Sequence, residues 1–123
     1  MNSPAYAAWE ADLDSLERAC RERALAEFRE QAAAQAAVAP PSTAPGNLHA
    51  HTFFSYSCHG YSPTRYALQA RRHGMEVAGI VDFDVLDGLA EFHDAGRLLN
   101  LRTVVSLETR VFVPEFADRV INS

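Results

Sequence analysis

An α/β fold is predicted from three observations on the sequence. Three apolar runs, at residues 46–51, 76–82 ("EVAGIVD") and 102–108 ("RTVVSLE"), alternate with two stretches of helical periodicity. The second and third runs are almost continuously apolar, which is the pattern of parallel strands covered by helices rather than of strands with one wet face. Residues of helix-starting and helix-stopping type stand at the junctions between the runs.

The elements follow in order. Ser3-Pro4 starts a helical segment in which Trp9, Leu13, Leu16, Cys20, Ala24 and Phe28 recur at spacings of three and four, so residues 5 to 38 are expected to be largely helical. Its alanine-rich stripe favours packing on its own domain over partner binding, because few large side chains make a weak interface. The stretch "AVAPPSTAPG" cannot continue a helix and offers no apolar face, so it reads as a linker. The expected organisation is a helical segment at 1–38, a Pro-rich linker at 39–45 and an α/β unit at 46–123.

Within that unit residues 46–51 are the first strand. Ser62-Pro63 caps a helix carrying Tyr66, Ala67 and Ala70 on one face, and Gly74 supplies the left-handed residue that ends it. "EVAGIVD" is the second strand. Asp87 is placed to cap the next helix, with Leu89, Phe92, Ala95 and Leu99 on its buried side, and "RTVVSLE" is the third strand. The order is β-α-β-α-β.

Composition restricts the function. The 123 residues carry a formal charge of −5 and all eleven basic residues are arginine, so no basic block is available for nonspecific nucleic-acid binding. No apolar run approaches the ~20 residues of a membrane span. An acidic start without a signal-peptide pattern, and two widely separated cysteines, indicate a cytoplasmic chain with reduced thiols.

The polar residues fall at strand ends. His49 and His51 close strand 1, Asp82 closes strand 2 and Glu108 closes strand 3. Parallel α/β folds gather such residues at the carboxyl edge of the sheet. Imidazoles at i and i+2 share a face, so both can reach one ion at the usual zinc–nitrogen distance of about 2.0–2.1 Å. A His-x-His pair alone recurs by chance; its coincidence with acids at the next two strand ends points to a metal site. Cys58 reads as a small packed side chain, and His73 and His93 as solvent-facing helix residues. Phe53, Phe54, Tyr56 and Tyr61 serve equally as pocket lining or as packing over the sheet edge.

"NLHAHTFFS", "GIVDFDVLDG" and "VVSLETRV" resemble, in order and spacing, the first three motifs of the polymerase and histidinol phosphatase (PHP) family. The resemblance covers about Gly46 to Val113. It implies the front part, about three βα units, of a distorted (β/α)₇ PHP barrel, a TIM-barrel-like domain, preceded by the long N-terminal helix. It also implies divalent metal ions (zinc, manganese or iron) and hydrolysis of a small phosphorylated substrate. On this resemblance His49 and His51 bind one metal, Glu108 bridges it to a second, His59 serves a third, and Asp82 is a ligand or supports one. Two ions about 3.5–4 Å apart then hold the phosphoryl oxygens and activate water. Arg110, two residues after Glu108, either reaches the phosphate or pairs with Glu115 or Asp118 at the surface.

Three departures accompany the likeness. Asn47 stands where the family commonly has aspartate, and Phe83 where it has a metal-binding histidine. About 80 residues follow the linker, against roughly 200 or more in a complete barrel. The expectation is therefore an incomplete domain, inactive as it stands, whose third strand leaves an open edge for self-association. Two other functions fit the same residues: a noncatalytic PHP-like remnant that binds a ligand or partner, and an amidohydrolase-like metallohydrolase, which also carries His-x-His on its first strand.

Overall fold

The computed structural model describes residues 9–35, 46–56 and 58–119. The expected helix start at Ser3-Pro4, the outer parts of the 5–38 helix and the 39–45 linker lie outside the described residues. After a helical turn at 9–12 come α1 (Arg18–Gln35), α2 (Pro63–Arg72), β1 (Val77–Phe83), α3 (Leu89–Leu99), β2 (Arg102–Glu108) and a 3₁₀ turn at Pro114–Phe116. The architecture is mixed α/β around a parallel β1–β2 pair, with Val77 opposite Arg102 and Phe83 opposite Glu108. No described helix is long and apolar enough to cross a membrane.

The N-terminal helix is not continuous. It breaks at residues 13–17, where aspartate and serine compete with the backbone for helical hydrogen bonds. Ser15 Oγ accepts from the Glu17 amide at 3.2 Å, while the Asp14 carboxylate accepts from the Ser62 amide at 2.8 Å and from Arg65 at 2.7 Å. The break turns Leu16 out to 89% exposure and sends Trp9, Leu13, Ala24 and Leu25 into the core. The segment thus packs on its own domain. Arg21 lies in the same interior at 2% exposure, paired with Glu91 of α3 through two hydrogen bonds.

Ser62 caps α2, its Oγ accepting from the Arg65 amide at 3.0 Å, with Pro63 in the first turn. Gly74, at φ 76°, follows the helix in the left-handed conformation. Two details of α3 differ from expectation. Gly88, not Asp87, occupies the cap, and Leu89 is exposed while Glu91 is buried, because Arg21 and Thr64 satisfy the Glu91 carboxylate. Nor is His93 solvent-facing: half-buried, its Nδ1 meets Thr103 Oγ1 at 2.6 Å.

The expected first strand is not a regular one. Residues 46–50 run beside β1 in parallel, bridged at Asn47–Ala78, with the Gly79 amide donating to Asn47 O at 2.7 Å and the Val81 amide to Ala50 O at 2.8 Å. A regular parallel ladder would use residue 49 for the second bond, so one extra residue is absorbed and the strand bulges. The cause is local: Asn47 Oδ1 accepts the His49 amide at 3.0 Å and diverts it from the ladder. Gly79 permits the close crossing, since a Cβ there would lie 2.7 Å from Leu48 O and 2.8 Å from Leu48 Cα.

Ala78 and Ile80 of β1 join Ala67, Leu68, Phe92 and Ala95 in the core, and Val105 of β2 packs against them. Strand side chains alternate, so Val81, Phe83, Ser106 and Glu108 belong to the other face of the sheet. On and beyond β2, Val104, Leu107, Val111 and Phe112 are exposed.

Candidate metal centre

Glu108 ends β2 on the face turned away from the helices, beside Phe83 of β1. The bulged 46–51 segment brings two histidines to it. His49 Nε2 lies 3.1 Å and His51 Nε2 3.6 Å from Glu108 Oε2, and one donor atom from each of the three residues falls within 4.8 Å of the others. Donors about 2.0–2.1 Å from a tetrahedral ion stand roughly 3.3 Å apart, so these separations match the span an ion requires. Two imidazoles and a carboxylate also suit zinc, manganese or iron as a donor set. The trio is accessible: His49 is 66% and Glu108 36% exposed.

His51 is the most constrained of the three. Its ring stacks on Phe83 with centroids 4.4 Å apart at 19°, and its Nδ1 lies 3.2 Å from Ser55 Oγ. The next residue is anchored more firmly still. The Thr52 amide and hydroxyl both donate to the Asp82 carboxylate, at 2.6 and 2.7 Å. Asp84 ties the strand ends together: its amide donates to Glu108 O at 2.9 Å and its Oδ1 accepts from Thr109 Oγ1 at 2.6 Å. It does so at φ 59°, a left-handed conformation that aspartate tolerates better than most residues.

Of the residues singled out from sequence, then, His49, His51 and Glu108 come together. Asp82 does not join them. It shares the sheet face of Ile80, and its buried carboxylate is engaged by Thr52, so it holds the loop that carries His51. His59 is exposed and lines a groove with Leu16, Phe53, Phe54 and Cys58, apart from the trio. Arg110 is exposed beyond the end of β2 and among the described residues forms no ion pair, with Glu115 and Asp118 also exposed. Sequence reasoning passed over Thr52, Ser55 and Thr109. Hydroxyl residues directly after His-x-His and directly after the strand-end glutamate were the available signal, since short hydroxyl side chains satisfy nearby polar groups.

No protein-family model, no curated protein and no solved structure matches the chain.

Proposed function

We propose that this chain carries one divalent-metal site of a metal-dependent phosphoesterase of the PHP type, held by His49, His51 and Glu108. The single observation that carries the reading is the convergence of two imidazole nitrogens on one carboxylate oxygen at 3.1 and 3.6 Å. A zinc, manganese or iron ion, when bound, would supply positive charge for phosphoryl oxygens and lower the pKa of a water. His49, His51 and Glu108 would hold it. The exposed His49 side leaves room for a phosphate ester, and Arg110 is the nearest arginine in sequence to serve its oxygens. The net charge of −5 is no obstacle, because the cation supplies the field locally.

A second reading, binding of one ion without turnover, is favoured by Phe83. Its ring is stacked on His51 in the motif position where a further ligand would stand, and His59 lies outside the cluster. Because the described residues gather donors for one ion, turnover by the 123-residue chain is expected to be absent.

The test is titration of the chain with Zn(II) or Mn(II), then of the loaded chain with inorganic phosphate. One equivalent of metal, lost in His49→Ala and Glu108→Gln, together with phosphate uptake only by the loaded chain, supports the phosphoesterase-type site. Metal without phosphate uptake supports the second reading. No metal uptake by the wild type sinks both.

A further inference from the structure

We infer that two copies of this chain pair antiparallel through β2, with Val105 on the two-fold axis, so that Arg102 of each copy meets Glu108 of the other. The outer edge of β2 is unpaired among the described residues, where the sheet consists of β1 and β2. Which backbone groups that edge offers follows from the ladder. The Arg102 amide donates to Glu76 O and the Asp84 amide to Glu108 O, both at 2.9 Å, and in a regular strand alternate residues turn their polar groups to the same neighbour. Arg102, Val104, Ser106 and Glu108 therefore bond toward β1. The amides and carbonyls of Thr103, Val105 and Leu107 point outward, and no described residue bonds them. Such an edge is a template for another strand, and β2 lacks the devices that usually blunt one. From 103 to 107 it reads Thr-Val-Val-Ser-Leu, without charge or proline, and its register with β1 is unbroken.

Charge selects the occupant and its direction. β2 begins with Arg102 and ends with Glu108, so a second β2 laid antiparallel sets arginine against glutamate at both ends. Laid parallel in register it sets like against like, which is destabilising. The same antiparallel register brings Val105 opposite Val105 and Thr103 opposite Leu107, so the outward amides and carbonyls of one copy meet those of the other in hydrogen-bonded pairs. Val104 and Ser106 then oppose each other in the non-hydrogen-bonded positions. Opposed residues share a face, so the helices of both copies cover one side of a continuous sheet, and the exposed Val104 and Leu107 gain cross-strand neighbours. Each free edge is consumed by the other, which closes the assembly at two copies. Arg102 is available for the exchange: its side chain is 77% exposed and its contact with Glu76 is a surface one of 3.6 Å.

The pairing does not rest on the metal reading. Because Glu108 also belongs to the candidate metal centre, association is measured by sedimentation equilibrium with a chelator present, over a range of chain concentrations. The expected results are a monomer–dimer equilibrium in the wild type, a dimer weakened about tenfold or more in Arg102→Glu and in Glu108→Arg, and recovery in the double reversal Arg102→Glu with Glu108→Arg. Oxidative cross-linking reads the register. Directly opposed non-hydrogen-bonded residues lie within disulfide reach, so Val104→Cys mixed with Ser106→Cys should give a disulfide-linked dimer, while Val104→Cys alone should not exceed the wild type, whose Cys20 and Cys58 are free. A wild type that stays monomeric at every concentration overturns the inference and leaves the edge to a different strand. So does a Val104→Cys chain that links to itself and not to Ser106→Cys, or an affinity indifferent to both charge reversals. Val104 and Ser106 are exposed, so the cross-link decides the matter even where a charge reversal disturbs folding.

Discussion

Replacing Glu91 by alanine should be among the most damaging single changes in this protein, although Glu91 lies on a helix outside the candidate metal centre. Glu91 is 3% and Arg21 2% exposed, and the carboxylate accepts from Arg21 Nε at 2.7 Å, from Arg21 Nη2, and from Thr64 Oγ1 at 2.8 Å. Its removal leaves a buried guanidinium that keeps only the carbonyls of Ser15 and Leu16 as hydrogen-bond acceptors, with the Phe53 ring 5.2 Å away. Breaking a buried pair from one side costs about 3–5 kcal/mol, against a total stability of about 5–15 kcal/mol for a domain. At this chain length the loss corresponds to a fall in Tm on the order of 10–25 °C. Replacing both partners by apolar residues of similar size, Arg21→Met with Glu91→Leu, should recover most of it, because the desolvation of two charges disappears with their attraction. Urea and thermal melts of the two single variants and the double variant form the cycle. A Glu91→Ala loss below about 1 kcal/mol, the range of a surface pair, would refute the reasoning, as would a double variant whose loss equals the sum of the singles.

Three further outcomes are expected. Gly79→Ala drives a Cβ to within 2.7 Å of Leu48 O; a loss of about 1–3 kcal/mol together with weaker metal binding is expected, and an unchanged urea midpoint would show that the 46–50 segment does not press on β1. Burial holds the Tyr66 phenol above its ordinary value, so the folded state keeps this proton longer than the unfolded one. Its contribution to stability is full below the unfolded value of about 10 and is lost as pH rises through the raised folded value; Tyr66→Phe should flatten the alkaline fall in Tm, and an unaltered slope would exclude Tyr66 as its source. Phe112 is 75% exposed beside Val111, next to a β2 edge that no other described strand pairs; sedimentation should show association of the wild type reduced by Phe112→Asp, and a wild type that sediments as a strict monomer would contradict this.

The alternation of helices and parallel strands was legible without coordinates because it rests on local properties. The Ser62-Pro63 cap, the left-handed Gly74 and the apolar runs at 77–83 and 102–108 each act within a few residues. The pairing of His49 and His51 with Glu108 was legible for a related reason, since strand ends in a parallel sheet lie side by side. Other features depended on partners distant in sequence. Whether Asp82 faces the candidate metal centre depends on which sheet face it occupies, and Thr52, thirty residues earlier, engages it on the helix side. The break at residues 13–17 is stabilised by Ser62 and Arg65, about fifty residues later. Arg21 falls on the same helix face as Ala24, Leu25 and Phe28, and only α3, with Glu91 seventy residues away, makes a charge tolerable there. Hydrophobic period and capping are encoded where they act, whereas the satisfaction of a buried polar group is settled only when the folded chain brings its partner to it.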